Sequence, residues 1–142
     1  MTSILDRLNA SFSVSAKESP ATKSGIERLK GFSGFEVPSD YLDLVRVATE
    51  VEFNIEGKAH MRIWGPDGCI EMNEAYSIQQ FIPQSLAIGD DEGGRAILFM
   101  SGVQGFGLYL TGFGDLDPES ARYISSSLER LLVDGEGKEL LM

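Results

Sequence analysis

The spacing of apolar side chains changes period several times along the chain, and each change predicts an element. Ile4, Leu5 and Leu8 make one short helical face, but the stretch from Ser11 to Ser24 is rich in Ser, Thr and Lys and carries little periodicity. It predicts a loosely ordered N-terminal arm over residues 1–18, followed by a single domain over residues 19–142. Ser19 before Pro20 reads as an N-cap with proline at the first helical position. Ile26 and Leu29 then share a face up to Gly31, so a helix is expected near residues 20–30. Val37-Pro38-Ser39-Asp40 opens a second helix, with Asp40 near its positive end and Tyr41, Leu44, Val45 and Ala48 at helical spacing as far as about Thr49.

The period then shortens to two. Val51, Phe53 and Ile55 alternate with Glu52, Asn54 and Glu56, and Met61 and Ile63 alternate with His60 and Arg62, which predicts a hairpin through Gly57. Pro66-Asp67-Gly68 has turn character, while Cys69, Met72, Asn73 and Tyr76 suit one helical face, so a short helix is expected there. Leu86 and Ile88, then Ala96, Leu98 and Met100, flank the acidic turn Asp90-Asp91-Glu92-Gly93-Gly94 as a second hairpin. Phe106, Leu108 and Leu110 make a further strand. Asp117-Pro118 reads as the start of a last helix carrying Ala121, Ile124, Leu128, Leu131 and Leu132 on one face, with fraying after Val133. Helices around a run of strands predict an α+β fold, a mostly antiparallel sheet with helices packed against it.

Composition narrows the function. The 142 residues, 42% of them apolar, suffice for one core and not for two. Twelve Lys and Arg against 22 Asp and Glu give a formal charge of −10, concentrated after residue 38. Such a field repels nucleic-acid phosphates and anionic lipid headgroups and attracts a basic protein. A single cysteine, Cys69, with no apolar run of signal-peptide length and none near the ~20 residues of a membrane span, predicts a cytoplasmic protein.

The candidate chemistry is sparse. His60 is the only histidine, which removes two-histidine metal motifs, and its strand-like neighbours suit a solvent-facing side chain. Cys69 lacks an activating base in sequence and suits a packed small hydrophobe. The glycines at 102, 105, 107, 112 and 114 form neither GxGxxG nor GxxxxGK[ST] and read as turns and strand ends. Asp90, Asp91 and Glu92 lack the alternating ligands of a calcium loop and read as a solvated hairpin turn; Asp117 reads as the cap of the last helix, beside Asp115. No catalytic residue, metal site or cofactor is predicted. Trp64, beside Gly65-Pro66, has the side chain most favoured at binding hot spots, although packing also accounts for it.

Four segments, in order, complete the picture. They are Val37-Pro38-Ser39-Asp40-Tyr41-Leu42; Met61-Arg62-Ile63-Trp64 continuing to Ile70-Glu71-Met72-Asn73-Glu74-Ala75-Tyr76; Ile82-Pro83 leading through Leu86-Ala87-Ile88 to Gly94; and the Phe113-Gly114-Asp115-Leu116-Asp117 turn before Ile124-Ser125-Ser126-Ser127-Leu128. Together they resemble the SUKH superfamily, which unites fungal cell-wall-synthesis regulators with bacterial immunity proteins, over about Pro20 to Leu132. The resemblance implies a non-catalytic α+β domain that binds and blocks a cognate toxin, often a nuclease. On that basis the expected partner is a basic toxin domain, met by Trp64, Asp90, Asp91, Glu92 and Asp115, with the chain itself a monomer or weak homodimer. The alternative is a regulatory or scaffold module of the same fold. A third class, an enzyme or small-ligand binder using His60, Asp115 and Asp117, lacks a supporting constellation.

Overall fold

Seven strands pair in the order of the sequence into one antiparallel sheet, in a computed structural model that describes residues 3–142. They are β1 (Phe12–Glu18), β2 (Thr49–Ile55), β3 (Ala59–Ile63), β4 (Leu86–Asp90), β5 (Arg95–Gly102), β6 (Gly105–Gly112) and β7 (Arg122–Ser125). Helices α1 (Lys23–Phe32) and α2 (Ser39–Val45) fill the connection from β1 to β2. Helices α3 (Pro66–Ala75) and α4 (Ile78–Phe81) fill that from β3 to β4, and α5 (Leu128–Asp134) follows β7. The fold is therefore α+β, as the alternation of periods predicts. Among the described residues, no helix is long and apolar enough to cross a membrane.

The centre of the sheet is covered on both faces. Successive strand side chains point to opposite sides, so the unbroken burial of Ala96, Ile97, Leu98, Phe99 and Met100 places apolar groups against both layers. The alternation of Ala96, Leu98 and Met100 identified one face only. At the β3–β4 junction the ladder is short, Arg62 opposite Asp90 and Ile63 opposite Gly89, extended by the Trp64 N–H donating to the Ile88 carbonyl at 2.8 Å. A Cβ on Gly89 would run into the Arg62 carbonyl oxygen, so only glycine lets the strands close here.

Several predicted elements change, the second helix ending at Val45 rather than near Thr49, which belongs to β2. The expected loose arm is instead integrated wherever the structure describes it, residues 1 and 2 lying outside the described residues. Ile4 is buried in a short 3-10 turn (Ile4–Asp6), and Phe12 is buried edge-on against Phe53 at 6.2 Å. Residues 12–18 form edge strand β1 on β2, with irregular register after Val14. The arm's polar composition is that of a strand exposed on both faces beyond Phe12, which sequence cannot distinguish from a loop. Helix α1 starts at Lys23, not at Pro20, because Thr22 caps it by accepting the Gly25 N–H at 3.0 Å.

The last helix also starts later than Asp117-Pro118. Asp117 instead folds an exposed turn, accepting the Glu119 N–H at 2.9 Å, and residues 122–125 become β7, with Tyr123 opposite Tyr109. Ser127 then caps α5 through the Arg130 N–H at 3.0 Å. Ile124 and Leu128 stand four apart and fit either a helix or a strand followed by a helix; pairing with β6 decides the matter. The tail does not fray: Lys138–Leu141 form a 3-10 turn, Leu141 is buried, and Lys138 bridges to Glu56 at 3.0 Å.

Asn73, fully buried on α3, occupies the place of a missing strand residue. Its Oδ1 accepts the Ala87 N–H at 3.0 Å and its Nδ2 donates to the Ala87 carbonyl at 2.8 Å, beyond the point where β3 stops pairing with β4. The same Nδ2 reaches the Cys69 carbonyl at 2.7 Å, and Gln79 Nε2 donates both to Asn73 Oδ1 and to the Ser85 carbonyl. We expect Asn73→Leu to strand both Ala87 groups. At about 1–3 kcal/mol for each buried unsatisfied group, urea unfolding should show a loss of about 3 kcal/mol; a midpoint close to the parent's would show that β4 finds other partners.

Glu50 closes the other end of α3. Gly65, the residue before Pro66, has no side chain to cap the helix, and Glu50 supplies the acceptor, its Oε2 taking the Gly65 N–H at 2.7 Å from a left-handed backbone of φ 46°. Burial pushes the Glu50 carboxyl above its usual range, with Glu18 and Asp90 adding repulsion, against the opposing pull of the Gly65 N–H and Arg62. A raised carboxyl favours the neutral form in the folded state, so this contribution is present at acid pH and lost as pH rises through the raised value. Glu50→Gln keeps a carbonyl acceptor without the charge. It should therefore be more stable than the parent at neutral pH, with the gap closing on acidification; denaturant titrations at both pH values check this, and a less stable variant at neutral pH would contradict it.

Candidate functional site

The residues singled out from the sequence do converge, at the end of the sheet where β3, β4, β5 and β6 meet the turn after Gly112. The Trp64 indole Nε1 donates to Asp90 Oδ2 at 2.8 Å. Its ring stacks on Phe113 at 6.4 Å, and Phe113 in turn lies 4.3 Å from the ring of Tyr76. Phe113 is anchored by its N–H to the Gly94 carbonyl at 3.0 Å, so the acidic turn and the turn bearing Asp115 sit side by side. Asp115 bridges back to Gly112 and leaves its side chain exposed.

Convergence does not make all of them available to a partner. Trp64 is only 3% exposed; its backbone bonds Ile88, and its carbonyl takes the Tyr41 hydroxyl at 2.8 Å. It supports the surface from beneath rather than presenting an anchor, because closing α3 over β4 leaves no solvent at the indole. The acidic turn is also less free than a solvated hairpin. Asp90 Oδ1 accepts the Glu92 N–H at 2.7 Å, and Glu92 lies 3.6 Å from Arg62, which also pairs with Glu52 at 3.0 Å. Asp91 is almost wholly occupied: its carboxylate accepts Arg95 Nε at 2.6 Å and the N–H groups of Gly93 and Arg95. Burial opposes ionisation of Asp91, but the guanidinium and these N–H groups together outweigh it and hold the carboxyl below its usual range.

What remains open to solvent is aromatic. Tyr76 is 42% exposed and Phe81 53%, and with Phe113, Asp115 and Leu116 they line a shallow cavity of about 230 Å³. Sequence reading placed Tyr76 on a helical face and Phe113 in the turn that carries the SUKH resemblance, gave neither a contact role, and passed over Phe81. Tyr76 follows the last residue of α3 with φ −99° and ψ 2°, where the backbone leaves helical geometry, so helical spacing does not carry its exposure. Tyr and Phe held against a fixed second layer lose little freedom on binding, which suits a docking surface.

The other candidate groups lie elsewhere. His60 is exposed on β3 opposite Asn54. Cys69 is fully buried 3.1 Å from the Tyr41 hydroxyl; burial pushes its thiol up to about 12, the direction opposite to that of an activated thiolate, although the Tyr41 bond pulls the other way. Asp117 is held in its turn. Among the described residues, no three His, Cys, Asp or Glu side chains gather as a metal-binding group. Compared with known proteins, the chain matches no family model and no curated protein.

Proposed function

We propose that this chain is a non-catalytic protein-binding domain of the immunity type, acting in the cytosol by docking on a basic toxin domain, a nuclease being the favoured class, and occluding it. The observation that carries this reading is the layered aromatic surface at the β3–β6 end. Tyr76 is held half-exposed over Phe113, which stacks on a buried Trp64, and Phe81, also half-exposed, lines the same shallow cavity with Asp115, in a chain of charge −10. Exposed aromatics on a rigid second layer supply the apolar anchors of an interface, and the surrounding negative field steers a basic partner to them. The motif resemblance to SUKH proteins supports the same reading from sequence alone.

The genes beside this one provide the first test, with a toxin gene ending in a basic domain as the expected neighbour. That domain, purified and mixed with this chain, should form a complex whose association slows as salt rises, since screening contracts to about 8 Å at physiological ionic strength. Tyr76→Ala combined with Phe81→Ala should weaken the complex by about 2 kcal/mol or more and remove protection of toxin-expressing cells, without shifting the unfolding midpoint greatly. Full protection by the double variant would reject the aromatic surface as the docking site.

A further inference from the structure

The β5–β6 hairpin carries a second unusual surface at its opposite end, roughly 25 Å from Phe113 by the rise of an eight-residue strand. There Gly102 leaves room for the Tyr109 ring, on which a Cβ would collide. The Tyr109 hydroxyl donates to the Gly105 carbonyl at 2.7 Å and accepts the Gln104 N–H at 3.0 Å. The tip is thus pinned from below by a buried tyrosine, yet it presents Val103 93% exposed and Phe106 47% exposed. Phe106 lies parallel to the buried Phe99, ring centres 6.0 Å apart, and nearly perpendicular to Phe35, 5.6 Å away. Nothing within the described residues covers the solvent side of either exposed side chain.

Beside this aromatic floor opens a cleft of about 510 Å³, bounded by Phe99, Phe106 and the carboxylates Glu36, Asp40, Asp43 and Glu129, and among the described residues no Lys, Arg or His lines it. Two of the carboxylates have exposed outer partners, Glu129 with Arg7 at 3.0 Å and Asp43 with Arg46 at 3.4 Å. Asp40 is occupied by the Glu129 N–H at 3.0 Å and the Tyr41 N–H at 2.8 Å. Glu36, in the loop ahead of α2, has no ion-pair partner among the described residues.

The combination selects one kind of occupant. An anion is repelled, and a wholly apolar segment would strip water from the carboxylates without replacing it. An ammonium ion is attracted by the rim and by a ring face, but it is compact and strongly hydrated and cannot lie flat on the floor. A guanidinium does both: it is planar and weakly hydrated, it stacks on an aromatic face, and its edge donates to Glu36, the rim carboxylate that has neither an ion-pair nor a backbone partner among the described residues. We propose that the cleft is a second docking site, taking an arginine side chain from an extended segment of the protein partner, while a neighbouring apolar side chain of that segment covers Val103. This rests on the reading that the chain binds a basic protein, and it adds where and through which side chain.

The test uses the full chain, isotope-labelled, titrated with a short capped peptide alternating arginine and valine, and with the same peptide carrying glutamine for arginine. The arginine peptide should give saturable shifts at Val103, Gly105, Phe106 and Glu129, and the glutamine peptide should give none. Phe106→Ala should weaken binding about tenfold. Glu36→Gln, an exposed loop change with no packing to lose, should weaken it by about threefold. Combined Tyr76→Ala and Phe81→Ala should leave peptide binding unchanged, which separates this cleft from the aromatic surface at the other end. Shifts scattered over the acidic surface without saturation, or equal affinity for the parent, Phe106→Ala and Glu36→Gln, would overturn the proposal while leaving toxin protection to be judged by its own assay.

Discussion

The sheet is continuous through its middle because one side-chain amide stands in for a strand residue. β3 runs beside β4 for two residue pairs and then turns away into α3, which would leave the Ala87 N–H and carbonyl facing the protein interior unpaired. Asn73 makes both bonds from the helix, in the donor-and-acceptor pattern of a paired strand residue. A buried backbone group left alone costs enough that the helix must sit where the amide reaches. That position fixes much else. Cys69, one turn earlier, lies under the Tyr41 hydroxyl, the Tyr41 hydroxyl holds the Trp64 carbonyl, and the far end of α3 carries Tyr76 out over Phe113. The aromatic surface is thus a consequence of how a short strand is completed.

The charge of −10 exaggerates how much acid is free. Asp91 and Glu50 are used as backbone acceptors, Asp90 holds an indole, and Asp40 holds the start of α5. Acidic groups placed against N–H groups are structural first, and changing them perturbs folding as well as any encounter with a partner. The residual field belongs to exposed positions such as Glu36, Glu74 and Asp115, which bond little and tolerate substitution. Charge reversal of the whole acidic turn would therefore confuse the two effects, since Asp90 and Asp91 anchor Trp64 and Arg95, whereas changes at exposed aromatic groups or at Glu36 separate them.

The sequence was legible where periodicity and burial coincide. Val51, Phe53 and Ile55, with Met61 and Ile63, read as a hairpin because one face of β2 and β3 is buried. It misled where a pattern serves two geometries: Ile124, Leu128 and Leu131 keep helical spacing across a strand, a serine cap and a new helix. It was silent on β1, whose alternation of Val14 and Ala16 with Ser13 and Ser15 carries little signal because nothing covers the strand. Trp64, Asp90, Asp91, Glu92 and Asp115 were named from sequence as contact residues, but neither their convergence on one end nor which of them faces solvent was legible there. Solvent exposure there depends on how α3 packs against β4, a tertiary arrangement to which the Asn73 bonds to Ala87 contribute.

A rigid hairpin linking two surfaces also constrains how any partner could use them. β5 and β6 pair in unbroken register from Arg95 opposite Gly112 to Gly102 opposite Gly105, and every side chain from Ala96 to Met100 is buried on one face or the other. The strand pair therefore cannot bend appreciably without disrupting the core, and the distance from Phe113 to Phe106 is fixed before binding. A partner that engages both ends must present its own two contact points at that spacing, or reach the second through a flexible segment whose effective concentration falls with its length. Pre-organisation of this kind lowers the ordering cost of association and rejects partners of the wrong span even when their charge is right. Selectivity among basic proteins, which a negative field alone cannot provide, then follows from the geometry of the central hairpin.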